Sequence, residues 1–445
     1  MKPDLLNGEI RPTLVSMTIP MMFGIVSLML FNLVDSYFVS QLGTEQLAAL
    51  GFTFPVSFTV ISLSIGLSIG TSATLAKLIG AGNNDKARQL TTDNLLMTTI
   101  LMLLISVIAI QLIEPLFQLL GAGEQLLPYI DAYMSVWFLG AAFYVLIMVS
   151  NSSLRASGDT KTPAMIMAFS SLLNLILDPL LIFGWGPFPE LGIQGAAIAS
   201  VIAWGVTSLM ALYNLYARKG LLVFHIESVE VMLQHWMMVM KIGFPAALSN
   251  MMTPIAAGIM IAVVASHGPE AVAAFGVGSR LESLSLLVNL ALSMTLPPFL
   301  SQNFGRGNIE RVRRAYLGSI KFAIAFQLLI YLLLWVFAGG IGALFSDKAE
   351  VVELISLWIL IVPLGFGFQA TTFLTASSFN ALHQPLRAMR ISIFRLFILY
   401  VPLGWSGNYL LGLPGMFGGF VIANMVTAIM AFWWMKRHLF RLQGG

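Results

Sequence analysis

Apolar residues along this chain neither alternate nor recur as the single stripe of a surface helix. They run together in blocks long enough to cross a lipid bilayer. A spanning helix needs about 20 mostly apolar residues. Such blocks lie near residues 13–40, 47–76, 92–113, 128–153, 163–184, 193–216, 237–266, 272–301, 315–345, 350–378, 388–409 and 414–435. The pattern predicts twelve membrane-spanning helices. The first block lacks the basic start, short apolar core and small-residue cleavage site of a signal peptide, and is read as a span.

Composition narrows the class. Of 445 residues, 58% are hydrophobic and 10% charged, whereas a soluble domain carries about a quarter charged residues. Soluble, disordered, fibrous and nucleic-acid-binding chains are excluded. With no cysteine and five dispersed histidines, no metal, cofactor or enzymatic cluster is expected. A net charge of +3 gives no reason for a nucleic-acid partner. No G-x-x-x-x-G-K-[ST] phosphate loop is present, which argues against ATP-driven transport.

The few charges set the orientation. Twenty of the 23 Lys and Arg, from Lys2 and Arg11 to Arg437 and Arg441, fall at the N-terminus or at the ends of even-numbered loops. The other side holds Lys348 among Glu45, Glu114, Glu124, Glu190, Glu270 and Asp347. By the positive-inside rule both termini are cytoplasmic, in a bacterial inner membrane.

A shift of 225 residues aligns the two halves. Pro20 falls on Pro245, Gly43 to Gly51 falls on Gly268 to Gly276, and Gly80-Ala-Gly82-Asn83 falls on Gly305-Arg-Gly307-Asn308. Six spans per half make the repeats parallel, about an axis along the membrane normal. The expected fold is an all-α integral membrane protein, with twelve transmembrane helices in two six-helix lobes related by pseudo-two-fold symmetry. The N-terminal lobe is 1–216, a cytoplasmic linker with His225, Glu227 and Glu230 is 217–236, and the C-terminal lobe is 237–445. Such lobes suit alternating access, with a duplicated membrane enzyme, scaffold or channel as the alternatives.

Five ionisable residues lie inside spans: Asp35, Asp178, Glu282, Arg280 and Arg395. Charges at membrane depth are expensive and face a bundle interior or a water-filled cavity. Asp35 and Asp178 have no basic neighbour in sequence, and the 225-residue shift pairs them with Met260 and Leu403. Coupling is therefore expected in the N-terminal lobe. Asn174 and Asp178 share one helix face, and Pro179 removes a backbone donor beside the carboxylate. Two carboxylates in a poorly solvated pocket favour a bound proton. The bland alternative leaves Asp35 near the outer end of its helix, satisfied by water. Pro20 and Gly24 supply a kink and backbone freedom in the first span, either as a moving hinge or as static packing. Glu282 and Arg395 are expected to pair and close the C-terminal lobe, with Arg280 on another helix face. Tyr37, Phe52, Phe58, Tyr144, Phe275 and Met294 are candidates for lining a substrate cleft.

The sequence resembles the multidrug and toxic compound extrusion (MATE) family, and within it the DinF-type branch. The resemblance rests on Ile19-Pro20, Asn32-Leu-Val-Asp35-Ser36, and Leu42-Gly43 to Ala49-Leu50-Gly51. It continues in Leu154-Arg155-Ala156-Ser157-Gly158-Asp159-Thr160-Lys161-Thr162-Pro163, Asn174-Leu-Ile-Leu-Asp178-Pro179 and Gly192-Ile-Gln-Gly195-Ala196-Ala197. It implies a multidrug efflux antiporter of cationic organic compounds, driven by H⁺ or Na⁺ and conferring drug resistance. In parts of the family a Na⁺ site is proposed from the equivalents of Asp35, Asn174, Asp178 and a sixth-helix threonine. Here Gly195 to Ala199 offers no hydroxyl, which favours H⁺ as the coupling ion. A monomer is expected. The alternatives are a Na⁺-coupled exporter and a lipid-linked oligosaccharide flippase, whose cavity would hold more basic residues.

Overall fold

In a computed structural model, residues 4–223, 225 and 228–443 are described, and every regular element among them is helical. The expected Lys2 and Glu227 lie outside the described residues. The chain forms two compact units, Met1–Gly8 with Val15–Ala247, and Glu9–Leu14 with Leu248–Gly445.

In the first unit, α1 (Ile10–Ser40), α2 (Thr44–Gly80), α3 (Asn84–Gln111), α5 (Leu127–Ala156), α6 (Lys161–Ile182) and α7 (Gly192–Tyr213) are the six long helices. A short α4 (Ile113–Leu119) follows α3. Helix α5 packs against α2, α3 and α7 and carries much of the buried core, including Met134, Phe138 and Val145. A π-helical turn, Asn214–Arg218, ends this run, and α8 (Val229–Ala265) already begins within the 217–236 stretch expected as a linker.

The linker is tied down by polar contacts that cost little in sequence signal. Val223 N–H donates to Thr92 Oγ1 at 3.0 Å, and Gln89 Nε2 donates to the His225 carbonyl at 3.0 Å. His235 Nδ1 lies 2.6 Å from buried Asp93 Oδ2, and Trp236 Nε1 donates to the Asp93 carbonyl at 2.8 Å. His235, a dispersed histidine in the sequence, is thus half of a buried polar pair. Further along α8, the Gly66-x-x-x-Gly70 stretch of α2 lies against Val239 and Gly243. Small residues let membrane helices meet backbone to backbone, where dispersion is strongest. A β-carbon at Gly66 would collide with the Gly243 carbonyl oxygen.

The second unit holds α9 (Pro269–Ser285), α10 (Leu287–Gly305), α11 (Ile309–Val336), α12 (Ala338–Phe345), α13 (Ala349–Ile361), α14 (Phe366–Ala381), α15 (Pro385–Ile393) and α16 (Val401–Gln443). Several expected spans are broken ones. The eighth is α9 and α10, bent by 43°. The tenth is α13 and α14 joined by the 3-10 turn Val362–Gly365. The eleventh starts in α15, passes through the π-helical Phe394–Tyr400 and ends inside α16. At Gly412 the chain takes φ 67°, a left-handed conformation open to glycine, and reverses. The two arms then meet where Gly407 touches Gly415 and the Leu403 carbonyl touches Gly419. Among the described residues ten helical runs and one bent pair are long and apolar enough to span. Dividing the 59-residue Pro385–Gln443 run at Gly412 makes twelve spans.

Two outcomes follow from this packing. Gly66→Ala should lower stability by about 1–3 kcal/mol through overpacking, read as a lower melting temperature in detergent. Gly258→Ala, which meets open space, should leave the melting temperature unchanged or higher. At the start of α6, Asp159 Oδ2 lies 2.8 Å from Lys219 Nζ, and Thr162 donates to the same carboxylate. Burial pushes the Asp159 carboxyl up, but the Lys219 and Thr162 hydrogen bonds and the Lys219 charge overcome it, leaving it below its ordinary value. A depressed acid stabilises above its unfolded value and loses that contribution as pH falls through the folded one. Asp159→Asn should therefore cost about 1 kcal/mol at neutral pH. The difference from wild type should close as melting is measured towards pH 3.

Candidate functional site

Asp35 is carried by the C-terminal half of α1 and Asp178 by the last turns of α6, directly before Pro179. Their carboxylates are buried, at 9% and 0% exposure, and interact electrostatically with one another. The two spans therefore bring together the acids that sequence spacing leaves 143 positions apart. Tyr133 of α5, also buried, lies within electrostatic reach of both.

Asn174 orients Asp178. Its Nδ2 donates to Asp178 Oδ1 at 3.0 Å, one turn along α6, and to Ser200 Oγ on α7 at 3.3 Å. Both amide hydrogens are thereby used, because an Asn side chain carries two donors. Three buried oxygens have no hydrogen-bond partner: Asp35 Oδ1, Asn174 Oδ1 and Asp178 Oδ2. Buried polar atoms are nearly always paired, so these oxygens have acceptor capacity that the protein's own donors leave unused. An acceptor-rich set of oxygens can take a proton, or a hard cation that prefers oxygen ligands. No group of three or more His, Cys, Asp or Glu capable of holding a metal occurs among the described residues.

Ser200 corrects the sequence reading. The stretch Gly195 to Ala199 lacks a hydroxyl, but one residue further on α7 turns a hydroxyl onto Asn174. Tyr133 is the other member that spacing did not reveal, since it lies on a third helix and belongs to no motif.

Around the proposed hinge, α1 is one continuous helix with Pro20 inside it. Gly24 is a close-approach point, because a β-carbon there would lie 3.1 Å from Ala164 Cα and 3.2 Å from Met167 Sδ. Helix α1 thus meets α6 two turns before the Asn174–Asp178 pair.

In the second unit the expected Glu282–Arg395 pair does not reach ion-pair distance. Glu282 accepts from Gln369 Nε2 at 2.7 Å, and the Arg395 guanidinium sits 4.9 Å from the Phe373 ring centroid. Arg395 lies on the π-helical turn of the eleventh span, against an aromatic face and within electrostatic reach of Glu282, while Arg280 is exposed. Of the aromatic candidates in the first unit, Tyr37 is 59% exposed and Tyr144 packs edge-on to Trp204. Phe58 packs on Phe54, and Phe52 lies against the core of this unit. In the second unit Phe275 packs against the core, and Met294 is half-buried on α10.

Comparison with known proteins agrees with this layout. A family model described as MatE matches residues 20–180 and again 245–406, two segments that start at the same 225-residue offset as the internal repeat. A relative from Shewanella oneidensis named "FAD transporter" is 42% identical over 433 residues, covering 97% of this chain and 96% of its own. "Probable multidrug resistance protein NorM" of Thermotoga maritima is 25% identical, over 94% of this chain and 90% of its own. Among solved structures, the Vibrio cholerae MATE transporter VcmN in the bent form superposes with a TM-score of 0.92. It is 35% identical and covers 97% of this chain and 98% of its own.

Removing the organiser of the cluster should be costly. Asn174→Ala strips Asp178 Oδ1 of its donor and should cost about 1–3 kcal/mol. Ser200→Ala leaves the Asn174–Asp178 bond intact and should cost less. Paired melting curves in detergent check the order.

Proposed function

Because the chain belongs to the MatE family of multidrug and toxic compound extrusion transporters, we propose that it is a proton-coupled antiporter. In this reading it exports cationic or amphipathic organic compounds across a bacterial inner membrane, with both termini cytoplasmic. The observation that carries the coupling reading is the buried Asp35 and Asp178, within electrostatic reach of one another, with Asn174 donating to Asp178. Among the described residues neither carboxylate forms an ion pair. An unpaired acid at membrane depth has a steep cost and marks an ion pathway by default.

The mechanism follows from where these groups sit. A proton arriving from the outer side neutralises Asp35 and changes what it can accept from α6. Helix α1, weakened at Pro20 by the missing N–H and held against α6 at Gly24, bends there and reshapes the cavity of its own unit. The bend displaces cargo outward, and release of the proton on the inner side restores the first state. Ser200 supports a second reading in which Na⁺ replaces H⁺, because it restores the hydroxyl that the local sequence lacks. For the cargo, the 42% identical relative named for FAD supports a flavin dinucleotide as the alternative to a cationic drug.

Proteoliposomes separate these readings. An imposed pH gradient should drive movement of a cationic dye by wild type, and Asp35→Asn should fall to the level of empty vesicles. Full pH-driven transport by Asp35→Asn would show the coupling assignment to be wrong. A Na⁺ gradient that drives wild type but not Ser200→Ala would favour sodium. Movement of FAD without movement of dye would replace the cargo reading.

A further inference from the structure

The basic residues at the end of the second unit converge on one pocket. Arg387 and Arg390 on α15 face Arg437 and Arg441 on α16 across a cavity of about 210 Å³, completed by Trp433, Trp434 and His438. The positive-inside rule places arginines on this side of the membrane, yet it does not require four of them to share one cavity. Like charges brought together repel unless an acid lies among them. No such acid is found: among the described residues none of the four takes part in an ion pair. Glu310, which meets Gln443 at the end of α16, is taken up by Arg313 and Arg314.

Aromatic faces hold the guanidiniums in place. Arg437 lies 3.4 Å from the centroid of Trp433, and Arg387 lies 5.7 Å from that of Phe379. Stacking leaves the in-plane N–H fork of an arginine available for a bidentate oxyanion. The second observation is His438, 9% exposed, which lines the pocket and whose Nε2 is buried without a hydrogen-bond partner. The apolar part of the rim is Trp433, 47% exposed, with Trp434 beside it. Cationic walls, an orphaned imidazole nitrogen and an apolar rim describe an anion attached to something greasy.

We propose that this pocket binds a phosphate-ester anion at the cytoplasmic face of the second unit. Its source is the headgroup of an anionic lipid or a soluble phosphate, and the apolar rim favours the lipid. Basic pockets between membrane helices on this side hold such headgroups. The proposal concerns a site remote in sequence from Asp35 and Asp178, and it stands or falls independently of the coupling ion and the cargo.

Native mass spectrometry of the purified full chain tests it, with cardiolipin, phosphatidylglycerol, phosphatidylcholine and inorganic pyrophosphate as separate probes. Wild type should retain the two anionic lipids in preference to phosphatidylcholine. The triple variant R390Q/R437Q/R441Q should weaken that retention on the order of a hundredfold. His438→Ala should weaken it with the four arginines still present, which a diffuse surface charge would not do. The control R313Q/R314Q, on a pair already engaged by Glu310, should behave as wild type. Retention of pyrophosphate without lipid preference, lost in the triple variant, would keep the phosphate site and assign it to a soluble ligand. Equal retention of every probe by wild type and triple variant would overturn the proposal. So would an equal loss in the R313Q/R314Q control.

Discussion

In hydrocarbon a backbone N–H or carbonyl finds no water, and leaving one unpaired costs several kcal/mol. Every regular element among the described residues is accordingly a helix, which closes its own hydrogen bonds. Many hydroxyls within the spans meet the same demand by bonding back along their own helix, as Ser64 does to the Val60 carbonyl and Thr71 to that of Leu67. Two of the breaks fall where the sequence supplies proline or glycine, at Pro363 in the 3-10 turn of the tenth span and at Gly412 in the reversal before the twelfth. With no hydrophobic force between helices in lipid, contact depends on how closely backbones approach. That is why Gly66, Gly195, Gly407 and Gly419 sit against carbonyl oxygens of neighbouring helices.

Under that constraint polar side chains in the interior are few and have particular jobs. The repeat makes the two units comparable and their polar content makes them different. Asp35 in the first unit corresponds to Met260 in the second, and Met260 is fully buried beside Gly404. The first unit gathers Asp35, Asn174, Asp178 and Ser200 into one cluster with unfilled acceptor sites. The second unit instead sets an acid and a base within electrostatic reach, Glu282 held by Gln369 and Arg395 by Phe373. Duplication thus preserved the helical frame, while polar chemistry was kept where acceptors stand open.

Much of the frame was legible in the chain. Apolar blocks located all twelve spans, because burying twenty residues in lipid needs no information from elsewhere in the protein. The acids were legible for the complementary reason: at membrane depth a charge is too costly to be incidental. The linker was less so. It reads as a polar stretch, but its contacts with Thr92, Gln89 and Asp93 depend on α3 and α8 lying side by side. Glu282 and Arg395 lie within electrostatic reach of one another without direct contact, since Gln369 takes the carboxylate and Phe373 the guanidinium, partners on a third element that spacing does not reveal.

Span count, the internal repeat, the basic side and the candidate acids were set by the sequence alone, because hydropathy and charge act residue by residue along the chain. Partnership was decided only in three dimensions. That Ser200 rather than a residue of Gly195 to Ala199 reaches Asn174 depends on how α7 is rotated against α6. That four arginines share a pocket depends on α15 returning beside the end of α16. Rotation and register between helices are set by side-chain packing across the whole unit, which no local stretch of sequence contains.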